Sequence, residues 1–111
     1  MAATPPLGEF EQVVLLAILR LSDDAYGVTI RREIETCTER EPAPGALYTT
    51  LDRLEEKGLV TSKYGDPTPA RGGRARRYFR VTARGIRAVA RAQRNYQRLL
   101  KGLVLPGDVY A

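Results

Sequence analysis

The clearest chemistry in the sequence belongs to a cluster of basic residues in the second half of the chain. Four arginines surround the glycine pair Gly72-Gly73, and a lysine lies just upstream; the set is Lys63, Arg71, Arg74, Arg76 and Arg77. Guanidinium groups bind phosphate oxygens in bidentate fashion, and glycine lets the backbone approach a duplex closely. The cluster predicts contact with the phosphates of DNA, the alternative being an ordinary solvated loop.

The distribution of charge along the chain points the same way. Residues 1–66 carry 7 Lys and Arg against 12 Asp and Glu, whereas residues 67–107 carry 11 basic residues and no acid. Such an asymmetry indicates a polyanionic partner for one part of the molecule. For the arginines nearest the C-terminus, solubilisation of a helix face is the simpler interpretation.

Composition excludes several classes of protein. The chain has no histidine and a single cysteine, Cys37, so we expect no metal site, no internal disulfide and no cofactor. No nucleophile is paired with a base, and an enzyme is not expected. The longest apolar stretch, Val13 to Leu19, is far shorter than the roughly 20 residues that span a bilayer, which favours a cytoplasmic protein without membrane association.

Three helices must position the basic cluster. The first is apolar all round, and we expect a second subunit to cover one side of it through Phe10, Val14 and Leu15. In the second helix Cys37 shares a face with Tyr26, Ile30 and Ile34, which predicts that its thiol is a small core group.

The third helix is expected to start near Pro44 and to turn its outward side to a DNA groove. Leu47, Leu51 and Leu54 follow the spacing of a buried face, and Gly58 suits a left-handed C-terminal cap. The outward side chains near the helix start are the candidate DNA contacts: Gly45, Tyr48, Thr49 and Arg53.

Two runs with strand composition follow the third helix. Leu59 to Tyr64 alternates apolar and polar residues, and Arg77 to Thr82 is rich in aromatic and β-branched residues, so the two can pair as a hairpin. The connection from Gly65 to Arg76 is long, basic and rich in Gly and Pro. It predicts a flexible wing beside the helix-turn-helix.

The last helix carries a heptad pattern, typical of helices that pack along each other. The seam is predicted to hold two subunits together and consists of Ile86, Val89, Gln93, Tyr96, Leu100 and Leu103. Basic residues repeat with the same spacing on another face. A membrane-surface helix is the competing interpretation, but the heptads and the polar Gln93 favour a protein partner.

These elements predict an α+β, mainly α, winged helix-turn-helix with a C-terminal dimerisation helix. We expect an N-terminal arm at residues 1–8, the DNA-binding domain at 9–82, the dimerisation helix at 83–105 and a tail at 106–111.

Several motifs give the chain a family resemblance. Pro44-Gly45-Ala46-Leu47-Tyr48 is followed by Leu51, Leu54, Glu55, Gly58 and Leu59, then by Gly73-Arg74, Arg77-Tyr78-Phe79, Val81-Thr82 and Gly85; Asp24-Ala25-Tyr26-Gly27 and Ile30 fit as well. With these motifs the chain resembles the PadR family of transcriptional regulators, in its compact branch with one dimerisation helix. The resemblance implies a winged helix-turn-helix, dimerisation through the last helix, and repression of a nearby gene relieved by a small molecule.

Three residue choices depart from the family pattern. Ala43 replaces the serine that often caps the third helix, which forgoes about 1 kcal/mol. Thr49 stands where a basic residue often follows the tyrosine, and the absence of tryptophan precludes a Trp-lined drug pore.

The sequence thus predicts a homodimeric, sequence-specific regulator that binds double-stranded DNA at a palindromic operator and answers to a small-molecule effector. The alternative is a winged-helix interaction module whose basic helix face docks on an acidic protein.

Overall fold

Helices make up most of the structure, a computed structural model that describes residues 6–66 and 75–107. In chain order the elements are α1 (Glu9–Leu21), a short 3-10 turn (Ser22–Asp24), α2 (Gly27–Cys37), α3 (Pro44–Glu56), β1 (Val60–Tyr64), β2 (Arg77–Val81) and α4 (Ala83–Leu100). The mainly α, α+β prediction of three helices, a hairpin and a final helix is confirmed.

Helix α1 occupies the centre of the core. It packs against α2 and α3 on one side and against β2 and α4 on the other, all from the same chain. Val14 and Leu15 are therefore fully buried in the protomer and offer no surface to a partner, contrary to the prediction that both contact a second subunit. The exposed apolar side chains of α1 are instead Leu16 and Leu19, at 39% and 41% exposure.

Helices α2 and α3 form the helix-turn-helix. Pro44 is the first residue of α3, and Ala43 precedes it in extended conformation without a capping side-chain hydrogen bond. Gly58 ends the segment with a φ of +76°, the left-handed cap expected from the sequence. Cys37, expected in the core, is exposed because it is the last residue of α2, and its Sγ lies 3.3 Å from Glu33 Oε2.

The hairpin pairs β1 and β2 in antiparallel register from Val60 opposite Val81 to Tyr64 opposite Arg77. The amide of Phe79 donates to the carbonyl of Ala25 at 2.8 Å, so the hairpin is also attached to the segment before α2. The wing between the strands is described at residues 65, 66, 75 and 76. Arg71 and Arg74 lie outside the described residues.

Thr82 joins α4 to the turn that follows α3. Its Oγ1 accepts the Gly85 amide at 3.0 Å as the N-cap of α4, and also donates to the Gly58 carbonyl at 2.8 Å. Residue 85 must be glycine because the backbone of Leu59 passes close to it: a Cβ there would lie 2.2 Å from the Leu59 carbonyl oxygen. The start of α4 is thus fixed beside the C-terminal end of α3.

Helix α4 ends at Leu100 rather than near residue 105. Lys101 is extended and Gly102 has a φ of +74°, so the chain leaves helical geometry there. Leu103, predicted as part of the helical seam, follows the helix and is 57% exposed.

Candidate nucleic-acid interface

The outward side of α3 begins with residues that meet solvent. Leu47, Leu51 and Leu54 are buried as expected. Gly45, Thr49 and Arg53 are exposed, and a Cβ added to Gly45 would meet nothing within 4 Å. Arg53 has no ion pair within residues 6–66 and 75–107. The outward side of α3 therefore presents an unobstructed backbone at its start and, in its third turn, the exposed Arg53 guanidinium, whose charge also acts on Glu11 of α1.

Tyr48 is also outward but lies against α2. Its hydroxyl oxygen would be only 2.0 Å from a Cβ built on Gly27, the first residue of α2, and its side chain remains 44% exposed. Tyr48 thus packs over Gly27, where a larger residue would require the end of the tyrosine side chain to shift, and keeps part of its ring in solvent. The sequence motif contains Gly27, but the reason for it, a tyrosine from the next helix, becomes visible only in the structure.

Arg77, predicted as a DNA contact, is engaged by the protein itself. From β2 its Nη1 lies 3.0 Å from Asp52 Oδ1 and its Nη2 lies 2.5 Å from Glu55 Oε1, both on α3. Its Nε donates to Ser62 Oγ at 3.1 Å, and the guanidinium stacks 4.8 Å from the centre of the Phe79 ring. Each of the three guanidinium nitrogens of Arg77 already has a partner inside the fold, which favours a supporting role for this side chain, and its contact with DNA stays a prediction.

The same network shifts two pKa values. The Ser62 hydroxyl and then the Arg77 guanidinium donate to Glu55, which holds the pKa of this carboxyl below its ordinary value. Burial opposes the charged form of Arg77, but the hydrogen bonds to Asp52 and Glu55 outweigh it and raise the pKa of Arg77. Arg77 offsets part of the negative charge of Asp52 and Glu55, which reduces their repulsion of phosphate along α3.

The base of the wing contains an aromatic cluster that holds Arg76. Its guanidinium carbon lies 4.3 Å from the centre of the Tyr26 ring, which meets Tyr78 edge-on at 5.5 Å. A side-chain hydrogen bond with Tyr78 raises the pKa of Arg76. Lys63, opposite Tyr78 in the hairpin, is exposed. Arg76 and Lys63 are therefore displayed at the foot of the wing on a rigid support.

The residues assigned to dimerisation fall into two groups. Phe10 and Val89 pack against the protomer's own core, although Phe10 is only partly buried, and Gln93 is half-buried. The exposed apolar residues of the predicted seam are Ile86 at 47%, Tyr96 at 50% and Leu100 at 45%. Sequence patterning missed Leu99, at 76% exposure, and assigned Leu16 and Leu19 of α1 to no interface.

Two further kinds of site are absent from the described ranges. No helix there is long and apolar enough to cross a membrane. No group of three or more His, Cys, Asp or Glu residues in the same ranges is placed to hold a metal ion.

Comparison with known proteins adds independent observations. The model of the transcriptional regulator PadR-like family matches residues 15–91. The transcriptional regulator Rv3488 of Mycobacterium tuberculosis is 34% identical over 96 residues, which cover 84% of this chain and 85% of the relative. An uncharacterized protein X of Lysinibacillus sphaericus is 34% identical over 80 residues, 70% of this chain and 69% of its own.

Solved structures show the same fold. A PadR family transcription regulator from Clostridium difficile superposes with a TM-score of 0.69 at 25% identity, covering 83% of this chain and 92% of that one. A transcriptional regulator from Clostridium thermocellum gives a TM-score of 0.66 at 26% identity, covering 82% and 85%. The chain belongs to the PadR-like family of transcriptional regulators, DNA-binding winged-helix proteins that are not enzymes.

Proposed function

We propose that the protein is a homodimeric regulator that binds a palindromic operator through the start of α3 and through the wing. The observation that carries this proposal is the sorting of charge on α3. Arg53 is exposed and unpaired, whereas Asp52 and Glu55 are engaged by Arg77. A helix sorted in this way can lie in a major groove with part of its acidic charge offset by Arg77, while Glu56 stays exposed.

Each contact residue has a distinct role in the proposal. Thr49 and Arg53 reach base edges, while the Gly45 backbone and the Tyr48 hydroxyl approach phosphates. At the wing, Arg76 and Lys63 meet the flanking backbone together with Arg71 and Arg74. Arg77 supports these contacts by attaching β2 to α3 rather than by touching DNA.

Dimerisation is assigned to the apolar side chains left exposed on α1 and α4. They are Leu16, Leu19, Ile86, Tyr96, Leu99 and Leu100, with Leu103 just beyond the helix. Several exposed apolar side chains on a small domain indicate an interaction site, and a second copy with the same side chains can cover them. Two subunits would present their α3 helices to half-sites about one helical turn, ~34 Å, apart.

The family resemblance, which implies repression, supports a further part of the proposal: DNA binding represses a nearby gene, and a small molecule relieves this repression. Native mass spectrometry of protein purified from its host should detect a dimer that carries a bound small molecule, and adding that molecule should release DNA. A ligand that binds the dimer without changing its DNA affinity would contradict this part.

A gel-shift titration on the DNA upstream of the protein's own gene tests the whole proposal. We expect one dimer per operator and affinity that falls steeply with salt. Tyr96→Glu combined with Leu100→Glu should yield a monomer with weakened operator binding, while Thr36→Glu, at an exposed position of α2, should leave both unchanged. Binding that is indifferent to sequence and salt, or that persists in a monomer, would refute it.

A further inference from the structure

A row of arginines on α4 is not used by the proposed operator interface. Arg87, Arg91, Arg94 and Arg98 are all exposed and are separated by four, three and four residues. At 3.6 residues per turn this spacing places them on one face of the helix, and the row is roughly 16 Å long. We call this row the arginine stripe; Lys101 follows it immediately after the helix.

Several arginines outside α4 are paired with an acid, unlike those of the stripe. Arg20 pairs with Glu33, Arg31 with Glu35 on α2, and Arg40 with Glu9. In contrast, α4 contains no acidic residue, and the four stripe arginines form no ion pair within residues 6–66 and 75–107. The excess positive charge of the protein is therefore concentrated on this face.

Neither helix stability nor dimerisation accounts for such a row. Like charges three and four residues apart destabilise a helix, and mixed charges would keep a surface solvated equally well. Val89 and Leu100 lie on the opposite side of α4, the side assigned to the core and to the second subunit. A dimer formed there would leave both copies of the stripe open to solvent.

The stripe is also remote from the operator end of α3. Gly85 holds the start of α4 against the Leu59 carbonyl, next to the C-terminal end of α3. Helix α3 has 13 residues, so its first turn lies about 20 Å from that point. The stripe therefore begins beside the C-terminal end of α3 and not beside its first turn.

We infer that the arginine stripe is a second DNA-binding surface, which holds the phosphate backbone of a duplex segment outside the operator without reading its sequence. A linear row of guanidinium groups matches a linear, densely charged anion. The flanking Ala90 and Asn95 provide no large apolar anchor of the kind that protein interfaces use. A membrane-surface helix would need the apolar side of α4, which is assigned to the core and to the second subunit. Of the proposed function, the inference uses only one part, the binding of an operator duplex through α3 and the wing.

The test compares two variants with equal loss of charge. One replaces Arg91, Arg94 and Arg98 by Gln; the control replaces Arg20, Arg31 and Arg40 by Gln, and circular dichroism checks that both are folded. Fluorescence anisotropy on a random duplex should show an affinity loss of about tenfold for the stripe variant and a salt slope lower by roughly 2.7, for three phosphate contacts. The control should match the unmodified protein.

A bridging experiment separates this inference from the proposed function. Protein saturating an immobilised operator duplex should capture a second, labelled random duplex, and the stripe variant should lose this capture while its affinity for a short operator duplex stays unchanged. Arg53→Ala should lose operator preference but keep stripe-dependent binding to random DNA. The inference would be overturned if the stripe variant and the control bound the random duplex with the same affinity and the same salt slope. It would also be overturned if polyglutamate or anionic vesicles, added at equal charge, displaced the DNA.

Discussion

Arg77 on β2 and Glu55 near the end of α3 form a direct ion pair, which we call the bridge, with Arg77 Nη2 2.5 Å from Glu55 Oε1. Asp52 and Ser62 complete the same network. Because the bridge joins β2 to α3, it fixes the hairpin against the helix that we propose to enter a DNA groove.

We expect Arg77→Gln to reduce the free energy of unfolding by about 1–2 kcal/mol, since it leaves Glu55 without its main cation in a site only partly open to water. Urea denaturation measures this loss. Arg80→Gln is the matched control, because the Arg80 side chain is 74% exposed and pairs with an exposed Asp23. Equal losses for the two variants would show that the bridge contributes nothing beyond a surface ion pair.

The bridge also predicts how stability responds to acid. The folded-state pKa of Glu55 is below its ordinary value of 4.5, so its contribution is complete above that value and disappears as the pH falls through the folded pKa. Glu11 also has a folded-state pKa below the ordinary value. Burial alone would raise this pKa, but the hydrogen bonds from Lys57 and the Gly8 amide lower it.

Urea midpoints measured between pH 7 and pH 3 should therefore fall below about pH 4.5. Glu55→Gln should reduce the steepness of this fall, because the substituted side chain no longer titrates. The same dependence on pH in the variant and the unmodified protein would exclude Glu55 as a source of acid sensitivity.

The contact between Tyr48 and Gly27 predicts an unusual steric effect. Gly27→Ala should destabilise the protein by roughly 1–3 kcal/mol, because the new methyl group displaces the tyrosine ring from the junction of α2 and α3. Adding Tyr48→Ala should recover most of that loss in a double-mutant cycle. If Gly27→Ala were as stable as the unmodified protein, the packing described for this junction would be wrong.

The N-terminus of α3 lacks a capping side chain, so a substitution that supplies one should stabilise the protein. Ala43 already has extended backbone geometry with φ −66° and ψ 142°, so Ala43→Ser should cap the helix and add about 1 kcal/mol. Ala46→Ser, three residues into the exposed side of the helix, serves as the control and should be neutral or slightly destabilising. A thermal melt in which both serines act alike would argue against a capping effect.

Local patterns were sufficient to predict the order of the elements. Pro44 and Gly58 delimit α3 where the sequence places its ends, and the alternation after Gly58 predicts β1. These signals act through the conformational preferences of single residues, and the structure keeps them because no tertiary contact opposes them.

Where a helix is apolar all round, it was harder to predict which of its sides faces the core. Val14 and Leu15 could face either a partner or the core, and only the packing of four other elements around α1 decides for the core. Arg77 looked like the other arginines of the wing, because its partners Asp52 and Glu55 lie far away in sequence. Long-range pairing of this kind leaves no local signal.

Arg53→Ala tests most directly whether the outward side of α3 reads DNA. Anisotropy titrations should compare the upstream operator duplex with a scrambled duplex, using Arg20→Ala as a control with equal charge. We predict that Arg53→Ala weakens operator binding by about 5- to 150-fold, corresponding to 1–3 kcal/mol, and lowers the preference for the operator over the scrambled duplex. Unchanged operator affinity and preference in Arg53→Ala would contradict the account.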